Sequence, residues 1–582
     1  MSELISSINP GLILILAGIL AGLVPMQRAR QALTLTAPVI GLLLLLAAPR
    51  ETDLATMSLM GFDMVLYRVD SLSFIFGLAF LIAAFINAVY SLHNDSQLED
   101  SMALSYMGAA VAACFCGDFI SLFVFWELTA VTSVFLIFLS GTNAAYKAGM
   151  RYLGLHVLSG VMLLFGAMLL YFDTGDLGIR QLELGNPGVL LIFLALGIKA
   201  GFPFLHTWLA DAYPKATVTG TVILSAFTTK LAIYALARMF PGEQSLIWIG
   251  AIMTVYPVFF AVVENDLRKV LSFSLNNQLG FMVCAIGVGT PLALNGAAAH
   301  AFCHIMYKSL LFMSMGAVLY RTGTTKATEL GGLYRTMPWT TVFCLIGAAS
   351  ISAFPLFSGF VSKSLTMSAV AGGGFLIPFL MLLFASAGVL EHSGIKIPYF
   401  AFFGHDSGKR PREAPFNMLL AMGAAAFICV GVGLPAFLPG FGFDWLYSIV
   451  PYADDPYTQG YEPYTADHIL TQMQLLMLAI FAFVILQRIG AYPPEKRGII
   501  LDTDILWRKV GYGLARWSGS VWQKAGPALT GVFGGLSARA FTRLEAAFSP
   551  RGTLARGGLY NGMAVWTAVL LGLALVVAFF IR

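Results

Sequence analysis

The sequence predicts an all-α polytopic membrane protein with about sixteen transmembrane helices. Of its 582 residues, 58% are hydrophobic and only 11% are charged, whereas a soluble domain carries roughly 25% charged residues. The mean hydropathy is +0.80. Apolar runs of about 18 or more residues, long enough to cross a bilayer as helices, recur along the whole chain. The strands of a membrane β-barrel would instead alternate polar and apolar residues in short segments.

The apolar runs give the positions of the predicted helices. They are 9–26, 31–49, 71–93, 102–118, 119–140, 151–172, 188–213, 217–239, 245–263, 270–289, 294–320, 339–366, 374–404, 416–438, 468–488 and 561–581. No Lys or Arg precedes the first run, so it lacks the basic start of a cleaved signal peptide. We therefore interpret it as a retained helix.

The distribution of charge predicts the orientation in the membrane. The connection 439–467 carries five acidic residues and no Lys or Arg, whereas residues 488–557 carry eleven basic residues against four acidic ones. By the positive-inside rule, the first segment is outside the cell membrane and the second is cytoplasmic. With sixteen helices, both termini are then predicted to lie outside the cell (inner) membrane.

Two predicted helices are interrupted by proline, at Pro203 and at Pro355. A proline with nearby glycines removes a backbone hydrogen bond and kinks or splits a helix. Each break lies in the fourth of five helices, in residues 102–239 and 245–404 respectively. An odd number of helices inverts the second block relative to the first, and paired broken helices in inverted repeats indicate a transport pathway. Ordinary proline kinks in a large bundle are the alternative.

The remaining segments complete the predicted organisation. Residues 1–101 form N-terminal helices, and residues 405–488 form C-terminal core helices with the external acidic loop. In residues 489–582, aromatic and basic residues alternate before the last apolar run. This pattern is typical of a helix lying along the membrane surface, so we predict an interfacial or lateral segment followed by a final transmembrane helix.

Ionisable residues inside the apolar runs are the candidate functional residues. A charge at the centre of a membrane costs roughly 2.5–3.5 kcal/mol on insertion scales and therefore needs a partner or a function. The main set is Glu127, Lys199, Lys230, His300, His304, Lys308 and Lys363. Accessory candidates are His206, Asp211, Glu391, His392 and Lys396. The two histidines and Lys308 stand at i, i+4 and i+8 and so share one helical face.

One buried carboxylate among several lysines and histidines suits proton movement. Burial lowers the pKa of a lysine in general, and a nearby carboxylate raises it, so movement of Glu127 relative to Lys199 would switch that lysine between holding and releasing a proton. Histidine can take up a proton on one ring nitrogen and release one from the other. The histidine stripe is thus interpreted as a relay. For Lys230 and Lys396, a structural ion pair or snorkelling to the interface is the alternative. His206 and Asp211 either orient the half-helix after Pro203 or line the path to it.

Cofactors and metals are not predicted. The six cysteines lie in apolar runs without CxxC pairs, which disfavours a disulfide framework or an iron–sulfur site. His300 and His304 lack an HExxH motif or a nearby carboxylate, which disfavours a metal site. The histidines are not arranged in repeated facing pairs as for haem. No nucleotide-binding motif is present, and no nucleic-acid partner is predicted.

Five stretches resemble the antiporter-like subunits shared by Mrp-type cation/proton antiporters, respiratory complex I and membrane-bound hydrogenases. They are FWELTAVTS, GIKAGFPFLHTWLADAYPKATVTGTVILSAFTTK, ENDLRKVLSFSLNNQLG, HAFCHIMYKSLLFMSMG and SAFPLFSGFVSK, in this order from about Asp118 to about Ser364. The resemblance implies a fourteen-helix core of two inverted five-helix repeats. It also implies assembly with sister antiporter-like and small membrane subunits.

The resemblance assigns roles to individual residues. It implies that Glu127 pairs with Lys199, that Lys230 continues the path, that His300 and His304 form a relay, and that Lys363 exchanges protons with the outside. A lysine at position 363 and the spacing of thirty-one residues from Lys199 to Lys230 resemble the D-type Mrp subunit. The helices near 468 and 561 resemble those of the distal complex I subunit instead.

These observations predict a proton-translocating, D-like subunit of a multisubunit Mrp-type cation/proton antiporter. Exchange of Na⁺ or another cation would be a property of the assembly. Three alternatives stay open. The first is a proton-pumping subunit of complex I or a membrane-bound hydrogenase, which would make the chain part of a redox-driven NADH:quinone oxidoreductase-type translocase. The second is the membrane subunit of an inorganic-carbon uptake system, and the third is an inactive anchor.

Overall fold

The computed structural model describes residues 7–59 and 61–490, together with short stretches between 502 and 521. The chain divides into two compact units, Met1–Ile500 and Leu501–Arg582. In the second unit a π-helical turn spans Leu506–Gly511. The predicted transmembrane helix at 561–581 and most of the predicted interfacial segment lie outside the described residues.

The first unit is a helical membrane fold. Its first half contains α1 (Pro10–Leu23), α2 (Gln27–Ala47), α3 (Ser71–Ser91), α4 (Gln97–Cys114), α5 (Phe119–Phe138), α6 (Asn143–Thr174), α7 (Pro187–Ala200), α8 (Thr207–Ala212), α9 (Val218–Ala226) and α10 (Thr228–Met239). Its second half contains α11 (Gln244–Val263), α12 (Leu267–Val288), α13 (Pro291–Thr322), α14 (Pro338–Ile351), α15 (Ser358–Gly372), α16 (Leu376–Phe403), α17 (Phe416–Gly431), α18 (Phe443–Ser448), α19 (Pro456–Gln459) and α20 (Ala466–Arg488). Short 3₁₀ turns span Tyr213–Lys215, Ala327–Glu329 and Leu333–Arg335.

Among the described residues, ten helical segments are long and apolar enough to cross a membrane, with α9 and α10 counted as one segment. Four apolar helices are shorter: α1, α7, α14 and α17. Two of these short helices, α7 and α14, are the first halves of the predicted broken helices. The chain is therefore a polytopic membrane protein, as predicted.

The prediction of an all-α chain is wrong in one place. Residues Thr52–Leu59 and Phe62–Val69 form an antiparallel hairpin, β1 and β2, that turns at Gly61 with φ +83°. Hydrogen bonds from Val65 N to Asp118 Oδ2 and from Gly117 N to Val65 O, both 2.8 Å, attach β2 to the loop before α5. The physical reason is that residues 50–70 are too polar to span a membrane, yet alternate well enough to pair as strands.

Side-chain caps fix where the core helices begin. Asp118 accepts a hydrogen bond from Ser121 N at the start of α5, and Thr142 and Asp266 cap α6 and α12 in the same way. Such caps satisfy backbone donors that have no partner inside the helix. The buried core centres on α9–α10, α12 and α13, in which nearly every residue is buried. Lys230, His300, His304 and Lys308 therefore lie in the most buried part of the unit.

Candidate proton-transfer site

The first broken helix ends at Gly201, which adopts φ +77° beyond the last turn of α7. Phe204 then takes φ +69°, a left-handed conformation that is unfavourable for a bulky side chain. Trp208 at the start of α8 donates from its indole nitrogen to Ile198 O at 3.0 Å, which satisfies a carbonyl freed by the break. The break thus places Lys199 in the last turn of α7, at the C-terminal end of the helix, where the helix dipole favours a cation.

Lys199 is fully buried and is hydrogen-bonded to α5, the helix that carries Glu127. Its Nζ donates to Trp126 O at 2.6 Å and to Thr129 Oγ1 at 2.9 Å, and it lies 4.1 Å above the Trp126 ring. Trp126 is itself fixed, because its Nε1 donates to Ser159 Oγ at 3.0 Å. Ser159 in turn donates to Ala195 O at 2.7 Å. Three helices, α5, α6 and α7, are therefore joined around this lysine.

Glu127 has only 3% of its surface exposed. Among the residues that the structure describes, neither of its carboxylate oxygens has a hydrogen-bond partner. Glu127 and Lys199 interact electrostatically, but the hydrogen bonds that Lys199 donates go to residues 126 and 129. Buried carboxylates that serve only to hold a fold are normally hydrogen-bonded or paired.

Gly160 of α6 makes room for the Glu127 carboxylate. A Cβ built on Gly160 would lie 3.0 Å from Glu127 Cγ and would overlap Cδ and Oε1. One turn earlier on α6, the buried His156 stacks on Tyr152 with ring centroids 3.9 Å apart and lies within electrostatic range of Lys199. Sequence reasoning missed both residues. The available signal was a histidine and a small-residue pair, Ser159–Gly160, on one face of an apolar helix.

A group of buried hydroxyls joins α4, α5, α6 and α10. Tyr152 Oη is 2.8 Å from Ser133 Oγ, and its hydroxyl also interacts with the side chain of Thr228. Thr228 Oγ1 is 2.6 Å from Tyr106 Oη. These hydroxyls, together with Thr129, form what we call the hydroxyl cluster: Tyr106, Thr129, Ser133, Tyr152 and Thr228. A hydroxyl can both donate and accept a hydrogen bond.

Lys230 lies in the first turn of α10, just after a further interruption that separates α9 from α10. Its Nζ donates to Ser225 O at 2.5 Å, a carbonyl near the end of α9. Lys308 of α13 interacts electrostatically with Lys230, and its Nζ has no hydrogen-bond partner among the described residues. The structure thus brings together two lysines that are 78 positions apart in the sequence.

The predicted histidine stripe lies on one face of α13, as expected from the i, i+4 spacing. The rings of His300 and His304 are 6.3 Å apart and nearly parallel, at 24°. His300 Nδ1 is 3.0 Å from Ser362 Oγ in α15, whereas within the described structure neither ring nitrogen of His304 has a partner. His304 lies within electrostatic range of Lys230, Lys308, His300 and Lys363.

The second broken helix carries Lys363. Ala353 and Leu356, between α14 and α15, have φ +59° and +74°, so this break is as strained as the first. Lys363 Nζ donates to Ile351 O at 3.2 Å, at the end of α14, and to Ser386 Oγ at 3.4 Å. The buried His392 lies within electrostatic range of Lys308, Lys396 and Lys363.

Two accessory candidates have contacts that account for them as structural groups. Asp211 is paired with Arg151 at 2.6 Å and with Lys215 at 2.5 Å, which ties α8 to α6. Lys396 donates to Val262 O at 2.6 Å and to Glu264 O at 2.7 Å, so it caps the end of α11. His206 precedes α8 and packs on Tyr256 at 4.6 Å.

Glu391 and His392 lie in the π-helical turn Leu390–Ile395 of α16. His392 Nδ1 is 2.8 Å from Ser393 Oγ, and Ser393 donates to Ser274 Oγ at 2.7 Å. No group of three or more His, Cys, Asp or Glu that could hold a metal is found in the described ranges.

The part of the chain from Glu127 to Lys363 resembles a known protein family. Residues 116–390 match the family described as NADH:quinone oxidoreductase/Mrp antiporter, TM. A relative from Alkalihalophilus pseudofirmus, named as the D-type subunit of a Na(+)/H(+) antiporter, is 33% identical over 309 residues. That match spans 50% of this chain and 62% of the relative, so the chain matches about three fifths of that relative's length.

Two solved structures share the fold at 21% identity. One is the Mrp complex from Dietzia sp. DQ12-45-1b, with a TM-score of 0.66 over 81% of this chain and 99% of the matched chain. The other is an archaeal respiratory membrane complex, the membrane-bound sulfane sulfur reductase, with a TM-score of 0.69 over 98% of this chain and 99% of the matched chain. Both likenesses concern the fold.

Proposed function

We propose that the chain is a proton-translocating subunit of a multisubunit cation/proton antiporter. In support, residues 116–390 match the family described as NADH:quinone oxidoreductase/Mrp antiporter, TM. The observation that carries the proposal is the buried Glu127 carboxylate without a hydrogen-bond partner among the described residues, beside a lysine that bonds to neutral oxygens. Such a carboxylate can gain or lose a proton without breaking a structural bond, and its charge acts on the lysine.

The proposed path follows the buried groups in spatial order. A proton held at Lys199 passes through the hydroxyl cluster to Lys230, since Thr129 accepts from Lys199 and Thr228 stands two positions before Lys230. From Lys230 it moves to Lys308 and His304, and then by way of His300 to Lys363. Histidine suits the middle of such a path because each ring nitrogen can carry the proton. His392 is an accessory member.

The larger organisation is part of the same proposal. Sixteen transmembrane helices, with inverted repeats at 102–239 and 245–404, would place the two breaks symmetrically about the path. Both termini would lie outside the inner membrane. Sister antiporter-like and small membrane subunits would complete the assembly, and exchange of Na⁺ would be carried out by the assembly as a whole.

The test compares Glu127→Gln and Lys199→Ala with two matched controls, Glu183→Gln and Lys147→Ala, whose side chains are exposed. Cation-dependent proton movement is measured with a pH-sensitive dye in inverted vesicles that contain the complete complex. We expect at least a tenfold loss for the two buried variants and unchanged rates for the controls. Wild-type transport by an assembled Glu127→Gln complex would refute the proposed path.

Copurification decides between the antiporter and a redox-driven assembly. Mass spectrometry of the purified complex would identify sister antiporter-like subunits in the first case and flavin or iron–sulfur proteins in the second. A soluble zinc-containing partner would instead indicate inorganic-carbon uptake. The proposed proton path is common to all three, so its test stands apart from this choice.

A further inference from the structure

Three buried polar side chains form a hydrogen-bonded chain that leads from α12 to His300 on α13. Asn277 and Gln278 lie on α12, and Tyr307 lies on α13, two turns after His300. The ring of a neutral histidine carries its proton on one nitrogen or the other, and the hydrogen bonds around the ring decide which. The direction of each bond in this chain therefore determines where His300 carries its proton.

A main-chain carbonyl fixes the direction of the chain at its far end. Asn277 Nδ2 donates to Thr254 O of α11, a group that can only accept. The side-chain oxygen of Asn277 must therefore face Gln278, whose Nε2 donates to it at 2.6 Å. Gln278 Oε1 is then left to face Tyr307, whose hydroxyl donates to it at 3.1 Å. Each of the two amides thus has only one orientation that satisfies its neighbours.

Tyr307 consequently has no proton to donate to His300. A phenol carries a single O–H, and the acceptor of that proton is Gln278. Tyr307 Oη also lies 3.5 Å from His300 Nε2, so it presents a lone pair to the ring there. This contact is attractive if Nε2 carries a proton, whereas a bare Nε2 would set two lone pairs against each other. A neutral His300 is therefore stabilised with its proton on Nε2.

The other ring nitrogen faces a hydroxyl that can turn. His300 Nδ1 lies 3.0 Å from Ser362 Oγ on α15, and the same Oγ lies 3.1 Å from Ser358 O. While Nδ1 is bare, the Ser362 proton can point to the ring. Once Nδ1 gains a proton, the hydroxyl can accept from it and donate to Ser358 O instead. Nδ1 can thus gain or lose a proton without leaving this hydroxyl unpaired.

We propose that Asn277, Gln278 and Tyr307 are positioning residues that hold neutral His300 in its Nε2–H form, so that the ring takes up and releases protons at Nδ1, on the side of α15. Transfer through Nε2 would require Tyr307 to turn away from Gln278, which leaves a buried amide oxygen without a donor. The role in transport rests on the proposed proton path, whereas the position of the ring proton does not.

The test is ¹⁵N NMR of the complete complex in lipid, with the histidine rings ¹⁵N-labelled, at about pH 9, where histidine is ordinarily neutral. His300 is assigned as the signal that is missing in His300→Gln. We expect the wild-type ring to carry its proton on Nε2. Gln278→Met removes the acceptor of the Tyr307 proton, which then turns to His300. The ratio of the Nε2–H form to the Nδ1–H form should fall by about tenfold or more.

Tyr307→Phe provides a second variant should Gln278→Met fail to assemble. It removes the oxygen that faces Nε2, so the two forms of His300 should become comparably populated. Tyr320→Phe is the matched control, because Tyr320 lies on the same helix and is exposed, and it should leave the His300 signal unchanged. A wild-type ring protonated on Nδ1 would overturn the inference, as would an Nε2–H ring that persists unchanged in either variant of the chain.

Proton movement in inverted vesicles separates failure of this inference from failure of the proposed function. An unchanged rate in His300→Gln would remove His300 from the path, and with it the role of these three residues in transport. A rate lost in His300→Gln, together with a wild-type Nδ1–H ring, would instead keep His300 in the path and reject the positioning role.

Discussion

Gly160→Ala should impair proton transfer although it replaces no ionisable group. In the structure, a methyl group at position 160 would lie 3.0 Å from Glu127 Cγ and would overlap Cδ and Oε1. Either the Glu127 side chain leaves its rotamer or α5 and α6 move apart. Overpacking of this kind costs about 1–3 kcal/mol. At 1.4 kcal/mol per factor of ten, the working carboxylate position would be depleted roughly 5- to 150-fold.

The assay is proton movement in inverted vesicles, normalised to assembled complex. Gly154→Ala is the matched control because it lies on the same helix and a Cβ there meets nothing within 4 Å. Alanine should be neutral there, or stabilising by up to about 1 kcal/mol through helix propensity. Glu127→Asp shortens the side chain by one methylene and should partly restore transport in the Gly160→Ala background. Equal rates for the Gly154→Ala and Gly160→Ala variants would refute the reasoning.

Two further predictions concern the hydroxyl cluster and Lys396. Tyr152→Phe removes the hydroxyl that lies 2.8 Å from Ser133 but keeps the ring. We expect proton movement to slow roughly 2- to 13-fold, as for one lost hydrogen bond of roughly 0.5–1.5 kcal/mol. Tyr146→Phe on the same helix should have no effect, and an unchanged Tyr152→Phe rate in the same vesicle assay would remove the cluster from the path. Lys396→Met deletes the hydrogen bond to Val262 O at the end of α11 and should lower the free energy of unfolding by about 1.5–3 kcal/mol. We expect a lower thermal midpoint, with transport per assembled complex at the wild-type level. Lost transport at an unchanged midpoint would instead place Lys396 in the path.

Much of the fold followed from local sequence. Long apolar runs predicted the helices, and Pro203 and Pro355 predicted two of the interruptions, whereas the one between α9 and α10 contains no proline. The hairpin at residues 52–69 was missed because its pairing depends on contacts with the loop before α5, including Val65 N to Asp118. Strand pairing depends on tertiary context more than helix formation does.

The candidate site was predictable in its residue types but not in its partners. A charge inside an apolar run is visible in sequence, which is why Glu127 and Lys199 stood out. The role of Gly160 could not be read locally, because it depends on α6 packing against α5 at the depth of the carboxylate. Similarly, only the packing of α16 against α11 indicates that Lys396 caps a helix.

The hydrogen-bond partners of three buried lysines affect the energy barrier to a change in their protonation. Lys199, Lys230 and Lys363 each donate to a main-chain carbonyl, and none of the three forms an ion pair with a carboxylate of the described residues. An amine that has given up its proton still carries two N–H bonds, so the same contact survives in both ionisation states. The surroundings then need little rearrangement when the charge arrives or departs, and no deep electrostatic trap holds it in place. Neutral backbone partners of this kind favour rapid release of the lysine proton over its tight binding.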